Sequence, residues 1–283
     1  MKNKPPKLTG QSRHFSRNPM FKYALMFCFV SLGFVGFSQS IDVGLSGGLS
    51  SAWLLNGNVM SGKGNQGYRL SISYNYGLHT TINFAHGYGL EIEIQKAIMN
   101  QDYGGTFSGS GAFPGIPVTY YAGQSFSANT QISVLKFPVL FRYEPEIKGN
   151  YVEAGIAYEI INGADYSATY KNPDQAIGLN IASQLPKGDF LAIVGLGWDK
   201  KLNHDANLFF HFGFRLEYGL MDLMGVDGHG QNLNGARSVI LYEQPTPYYT
   251  TQHSTHSLEL SFNVGMFYRI YPKSMLHKRA VDF

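Results

Sequence analysis

The sequence predicts an all-β fold: an eight-stranded antiparallel up-and-down transmembrane β-barrel with long extracellular loops and short periplasmic turns. Three observations lead there. Long stretches alternate apolar residues with charged residues and glycines. Charged residues are only 14% of the chain, against roughly 25% in an average soluble domain, while Tyr, Phe and Gly are abundant. The connections between the alternating stretches are short and long by turns. The stretch "LFFHFGFRLEYGL" (208–220) shows the first point. Leu208, Phe210, Phe212, Phe214, Leu216, Tyr218 and Leu220 share one strand face; His211, Gly213, Arg215, Glu217 and Gly219 share the other. The pattern suits lipid outside and a narrow polar lumen inside.

Residues 1–39 read as a secretory signal peptide. Six basic residues precede the apolar run "YALMFCFVSLGFVGF", and "SQS" follows it. Met20 offers an alternative start with a shorter basic region. The apolar run is short for a helix crossing about 30 Å of hydrocarbon. The only cysteine, Cys28, lies within it, and "LMF" before it does not make a lipoprotein cleavage site, so the mature chain is expected to hold no disulfide. Removing this segment leaves 16 basic and 19 acidic residues, a net charge of −3. The basic isoelectric point therefore belongs to the precursor, and no basic stripe or phosphate-binding glycine loop points to nucleic acid or nucleotide.

The barrel is expected over 40–271, with strands near 41–53, 70–85, 89–99, 130–144, 150–163, 189–202, 207–221 and 256–271. Most exceed the usual strand length and suit the 9–11 tilted residues that cross a bilayer. The first presents Ile41, Val43, Leu45 and Leu49 to lipid; the fourth presents Leu135, Phe137, Val139, Phe141 and Tyr143; the last presents alternate residues from Leu258 to Ile270. Short turns follow strands two, four and six (86–89, 145–149, 203–206). Long connections follow strands one, three, five and seven (54–69, 100–129, 164–188, 222–255). This sorting puts the turns and both barrel ends at the periplasmic rim. Trp53, Tyr76 and Tyr218 near the loop ends, and Tyr143, Trp198 and Tyr268 near the turn ends, form two aromatic girdles. Residues 272–283 read as a short periplasmic tail.

The opposite face mixes charges with glycines, which suits the interior of an eight-stranded barrel: small residues make room for long charged ones. A turn centred on Ile147 and Lys148 places Arg142 opposite Glu153 and Lys136 opposite Glu159, two expected lumen ion pairs. An unpaired buried charge costs several kcal/mol. Closure should bring Asp42 beside Arg269. The same pairs would also fit the wet face of a soluble sheet, or a soluble lipocalin-like carrier with its apolar face turned inward.

The stretch "ISVLKFPVLFRYEPEIKGNYVEAGIAYEI" (132–160) resembles the central hairpin of the PorT-like outer-membrane β-barrel domain, carried by Phe137, Pro138, Val139, Leu140, Phe141, Arg142 and Tyr143. The resemblance implies an integral outer-membrane protein and allows a secretion-accessory role with secretion-system components as partners. The last strand holds "NVGMFYRI", similar to the signal read by the outer-membrane assembly machinery, with Asn263, Gly265, Tyr268 and Ile270 at its positions. Outer-membrane lipid is the remaining expected partner.

A filled barrel of this size is not a general pore, so function is expected in the loops, at the lumen mouth or on the wall, without enzymatic activity or cofactor. His229, His253 and His256 with Asp222 and Asp227 lack a closed metal-ligand spacing. Ser254, His256 and Glu259 would be the residues of a lipid-modifying hydrolase if they met at the outer rim. Glu91 and Glu93 could form an acid–base pair, although ion pairing in the lumen suits them better.

Overall fold

The computed structural model describes residues 40–60, 66–106, 111–112, 119–145, 149–171, 175–202, 207–223 and 254–271. The expected signal segment, the tail 272–283, and His229, His253 and Asp227 lie outside these residues. Eight strands form the ring: β1 Ser40–Asn56, β2 Ser73–Asn83, β3 Tyr88–Thr106, β4 Ser125–Tyr143, β5 Asn150–Tyr170, β6 Gly188–Lys201, β7 Leu208–Gly219 and β8 Thr255–Ile270. Each pairs antiparallel with its sequence neighbour, and β8 pairs with β1, so the sheet closes on itself. Two short strands add to the ring's outer end: Gln66–Arg69 pairs with β3, and Gln175–Asn180 pairs with β5.

The closure is staggered. Stepping from Ile41 across paired residues passes Ile82, Leu90, Phe141, Ala154, Val194, Leu216 and Leu260. The path returns to β1 at Ser51, ten residues further along. A stagger of this kind accompanies strand tilts of about 35–45° and gives an interior that side chains can fill.

Alternation sets what faces where. On the outer face Leu45 is 63% exposed, with Leu49, Leu78, Ile156, Val194 and Leu196 similarly bare. On the inner face Glu91, Lys136, Arg142, Glu153 and Arg215 are buried. A soluble carrier would require the reverse, so that alternative fails. The six girdle aromatics lie on the outer face, and Tyr143, Trp198 and Tyr268 flank the turn end.

β3, β4 and β5 run well past the expected ends, and over those added turns the polarity inverts. Outside come Asn100, Asp102, Asn129, Gln131, Asp165 and Ser167. Inside, Ala52 and Leu54 of β1, Met99 and Tyr103 of β3, Phe126, Ile132 and Val134 of β4, and Ala164 and Tyr166 of β5 belong to one buried apolar cluster. A sheet that leaves the bilayer must turn its polar face to water and bury its apolar face, as in a soluble protein. On β5 a register shift opposite Ser133 and Val134 makes this switch. Below it the odd residues Tyr151, Glu153, Ala157 and Glu159 point inward; above it the even residues Ala164, Tyr166 and Ala168 do.

Candidate functional site

The lumen holds the densest chemistry among the described residues, and it is stacked in levels. At the turn end, Arg269 donates from Nε and Nη2 to the two carboxylate oxygens of Asp42 at 2.7 and 2.8 Å, across the β1–β8 closure. Asn83 Nδ2 adds a bond to Asp42 at 2.9 Å. Above this, Arg142 pairs with Asp199 and reaches Glu91 Oε2 at 3.5 Å, its guanidinium 3.7 Å over the Tyr151 ring. His211 lies between Asp199 Oδ1 at 3.0 Å and the Tyr151 hydroxyl at 3.1 Å.

Arg215 is the hub. Its Nη2 donates to Glu91 at 2.9 Å and Glu93 at 2.6 Å, and its Nε donates to Glu153. One level higher, Lys136 Nζ bridges Glu217 at 2.7 Å and Glu259 at 2.6 Å, and the Ser50 hydroxyl donates to Glu259. Apart from Arg269, which is partly exposed at the rim, the ionic side chains of these levels are buried, which is tolerable only because each charge meets an opposite one and satisfied hydrogen bonds. Glycines make the space: a Cβ on Gly195 would collide with the Glu153 carboxylate, and one on Gly197 with the Tyr151 hydroxyl.

The expected register holds, with Arg142 opposite Glu153 and Lys136 opposite Glu159. The expected ion pairs do not form. Arg142 turns to Glu91 and Asp199, Lys136 turns to Glu217 and Glu259, and Glu153 goes to Arg215. The reason is reach: in a narrow ring, long side chains meet at the axis and choose partners across it rather than along the wall. Glu159 is 0% exposed and neither of its carboxylate oxygens has a hydrogen-bond partner. Sequence reasoning placed Arg215, Glu217 and Glu259 on the polar face without giving them partners. Parity could locate them, but only the closed geometry brings β7 and β8 against β3 and β4.

The hydrolase constellation comes apart on β8. His256 points outward, stacks on Tyr218 at 5.6 Å and bonds the Gly219 carbonyl from Nδ1 at 3.0 Å. Glu259 points inward to Lys136. Odd spacing along a strand puts the two on opposite faces. Asp222 accepts from the Thr255 backbone N–H at 2.8 Å. No group of three or more metal-ligating side chains converges among the described residues. Asn263 and Gly265 line the lumen side of β8, while Tyr268 and Ile270 face outward. At the periplasmic rim, burial raises the Glu144 carboxyl above its ordinary range, against the pull of Arg142 and Arg269.

Residues 37–225 match the outer membrane protein beta-barrel domain family. The chain belongs to that family. As a member it is a protein of the outer membrane, and the match ends before β8, the strand that completes its ring. No curated protein matches the chain. Among solved structures it is similar to Ail, the attachment invasion locus protein of Yersinia pestis, at 9% identity and TM-score 0.34, over 81% of this chain and 99% of Ail. Neisserial surface protein A aligns at 8% identity and TM-score 0.35, over 82% and 97%. The outer membrane protease OmpT from Escherichia coli aligns at 10% identity and TM-score 0.36, also over 82% and 97%.

Proposed function

We propose that this protein is a closed, non-enzymatic outer-membrane barrel that acts at the cell surface, holding a stiff β platform and its loops for binding a partner rather than passing a solute. The filled interior carries this reading. Charged levels from Asp42 to Glu259 occupy the lumen, and the apolar cluster of Met99, Ile132, Tyr103 and Tyr166 covers the same inner face beyond them. An eight-stranded ring has an interior just wide enough for side chains to fill, which argues against a continuous water path. The strands that continue past the bilayer give the loops a rigid mount.

Planar-bilayer recording of the purified, folded protein tests this. The expected trace is flat, and regular unitary steps would refute the closed barrel. The hairpin at 132–160 supports a narrower reading, a PorT-type secretion accessory. Deleting the gene would then strand cargo in the periplasm, whereas loss of a surface-binding barrel would leave export intact. In either case we read Asn263, Gly265, Tyr268 and Ile270 as the signal for the assembly machinery. Gly265→Leu should lower the folded fraction in outer membranes.

A further inference from the structure

One strand boundary in the outer half of the wall is not closed by backbone. β1 runs to Asn56, but its ladder with β2 stops at the Ser50–Ser73 pair. Beyond that pair the two sides are each tied away from the other. Residues 70–72 leave strand geometry, and Gln66–Arg69 pairs with β3. Asn100 of β3 also donates from its backbone N–H to the Ser73 hydroxyl at 2.9 Å and from Nδ2 to the Ile72 carbonyl at 2.8 Å. The outer end of β1 stays on β8 as far as the Asn56–Thr255 pair, where Asn56 Nδ2 adds a 2.9 Å bond to the Thr255 hydroxyl.

Side chains bridge the seam. The Tyr68 hydroxyl accepts from Asn56 N–H and donates to Leu54 C=O, both at 2.9 Å. Gln101 Oε1 accepts from Leu54 N–H at a longer 3.3 Å. The Ser71 hydroxyl lies 3.4 Å from the Ala52 carbonyl, but its proton goes to the Asn100 carbonyl on β3. Tyr68 is the latch: its hydroxyl holds the β1 backbone, and its ring packs on the inner apolar cluster that includes Ala52 and Leu54. From outside, a groove of about 280 Å³ reaches the seam, with exposed Leu70 and Ile72 in its wall and buried Ser50 and Ser71 in its floor.

We propose that the wall opens sideways here: the strap 66–72, carried by β3, parts from the outer end of β1, carried by β8, and uncovers the inner cluster towards the groove. Parting breaks side-chain bonds and no ladder. Trp53, in the outer aromatic girdle, puts this stretch at headgroup level, so the backbone groups of Leu54 and Asn56 meet water once released. A ladder parted in mid-span would strand its groups in hydrocarbon. The seam therefore opens before the ladders do.

Amide hydrogen exchange on the folded full-length barrel in micelles, read residue by residue by NMR, tests this. Successive residues of a strand aim their amides at opposite neighbours. Leu54 and Asn56 report on the seam, while Trp53 and Leu55, at the same depth, report on the β1–β8 ladder. After correction for intrinsic rates, the seam amides should exchange about tenfold faster than the ladder amides. Tyr68→Phe should speed both seam amides a further three- to tenfold and leave Trp53 and Leu55 unchanged. The Leu54 amide is decisive, because it is bonded to Gln101 and loses no bond of its own in that variant. Gln101→Met is the reciprocal case and should speed Asn56. Heat-dependent gel mobility confirms that each variant is folded. Equal exchange of all four amides in the parent overturns the proposal. So does a variant in which only the amide that lost its partner speeds up, since the two bonds would then open separately.

Discussion

The lumen charges are bound to one another so tightly that removing one strands the others. Lys136 is the clearest case, being the ion-pair partner of both Glu217 and Glu259. Lys136→Met should destabilise the barrel by about 3–5 kcal/mol, because two carboxylates are left buried without a cation. The measure is the temperature at which the compact gel band is lost. The triple variant Lys136→Met, Glu217→Gln, Glu259→Gln should recover most of that loss. Glu159 predicts the opposite sign. Its carboxylate is buried without a hydrogen-bond partner, so Glu159→Gln should leave that temperature unchanged or raise it, by roughly 1 kcal/mol. A large drop would mean that Glu159 holds a contact which the geometry lacks. The sequence showed which residues face the lumen, since parity decides that. It did not show which charges meet, because Arg215 and Glu91 are 124 residues apart and their contact depends on the ring's diameter.

Strands three to five explain where legibility ended at the level of elements. The expected ends near 99, 130 and 163 fall where the environment changes from lipid to water. There the outer face becomes Asn, Asp, Gln and Ser, which taken alone resembles a loop. On β5 the register shift also moves the inward set from odd to even positions, breaking the period the eye follows. The strand continues because the inner face stays filled, by Ala164, Tyr166 and Ala168. Gln131 and Phe141 test this on a single strand. Both lie on the outer face of β4, ten residues apart, and both are exposed. In a Cys28→Ser background, Gln131→Cys should react with a membrane-impermeant maleimide on whole cells. Phe141→Cys should react only after detergent solubilisation. Reaction at both positions would remove the bilayer from β4.

At the scale of the whole molecule, stability rests on closure. There is no disulfide in the ring, since Cys28 is the chain's only cysteine. Nor does a large apolar core fill the span; the lumen there is mainly polar and charged, apart from Tyr151, Phe267 and a patch of Leu140, Ala157, Leu191 and Ile193. What remains is the ring of ladders, interrupted between β1 and β2 beyond the Ser50–Ser73 pair, in which the first and last strands satisfy each other's backbone groups, as the bilayer demands. The β1–β8 register is therefore the contact on which the others depend. It pairs Leu45 with Met266 and Asp42 with Arg269. Directly opposed strand residues have Cα atoms about 4.5–5.5 Å apart, within disulfide range. In the Cys28→Ser background, Leu45→Cys with Met266→Cys should cross-link on mild oxidation of folded protein. Moving the second cysteine to Phe267, which points into the lumen, should abolish the link. The oxidised ring should also keep a compact band at temperatures where the reduced form runs extended, because a link between chain-distant strands restricts the unfolded state most. Cross-linking through position 267 but not 266 would place the seam one residue out of register. That slip would turn β8 over, bring Arg269 out to lipid, and undo the pair with Asp42.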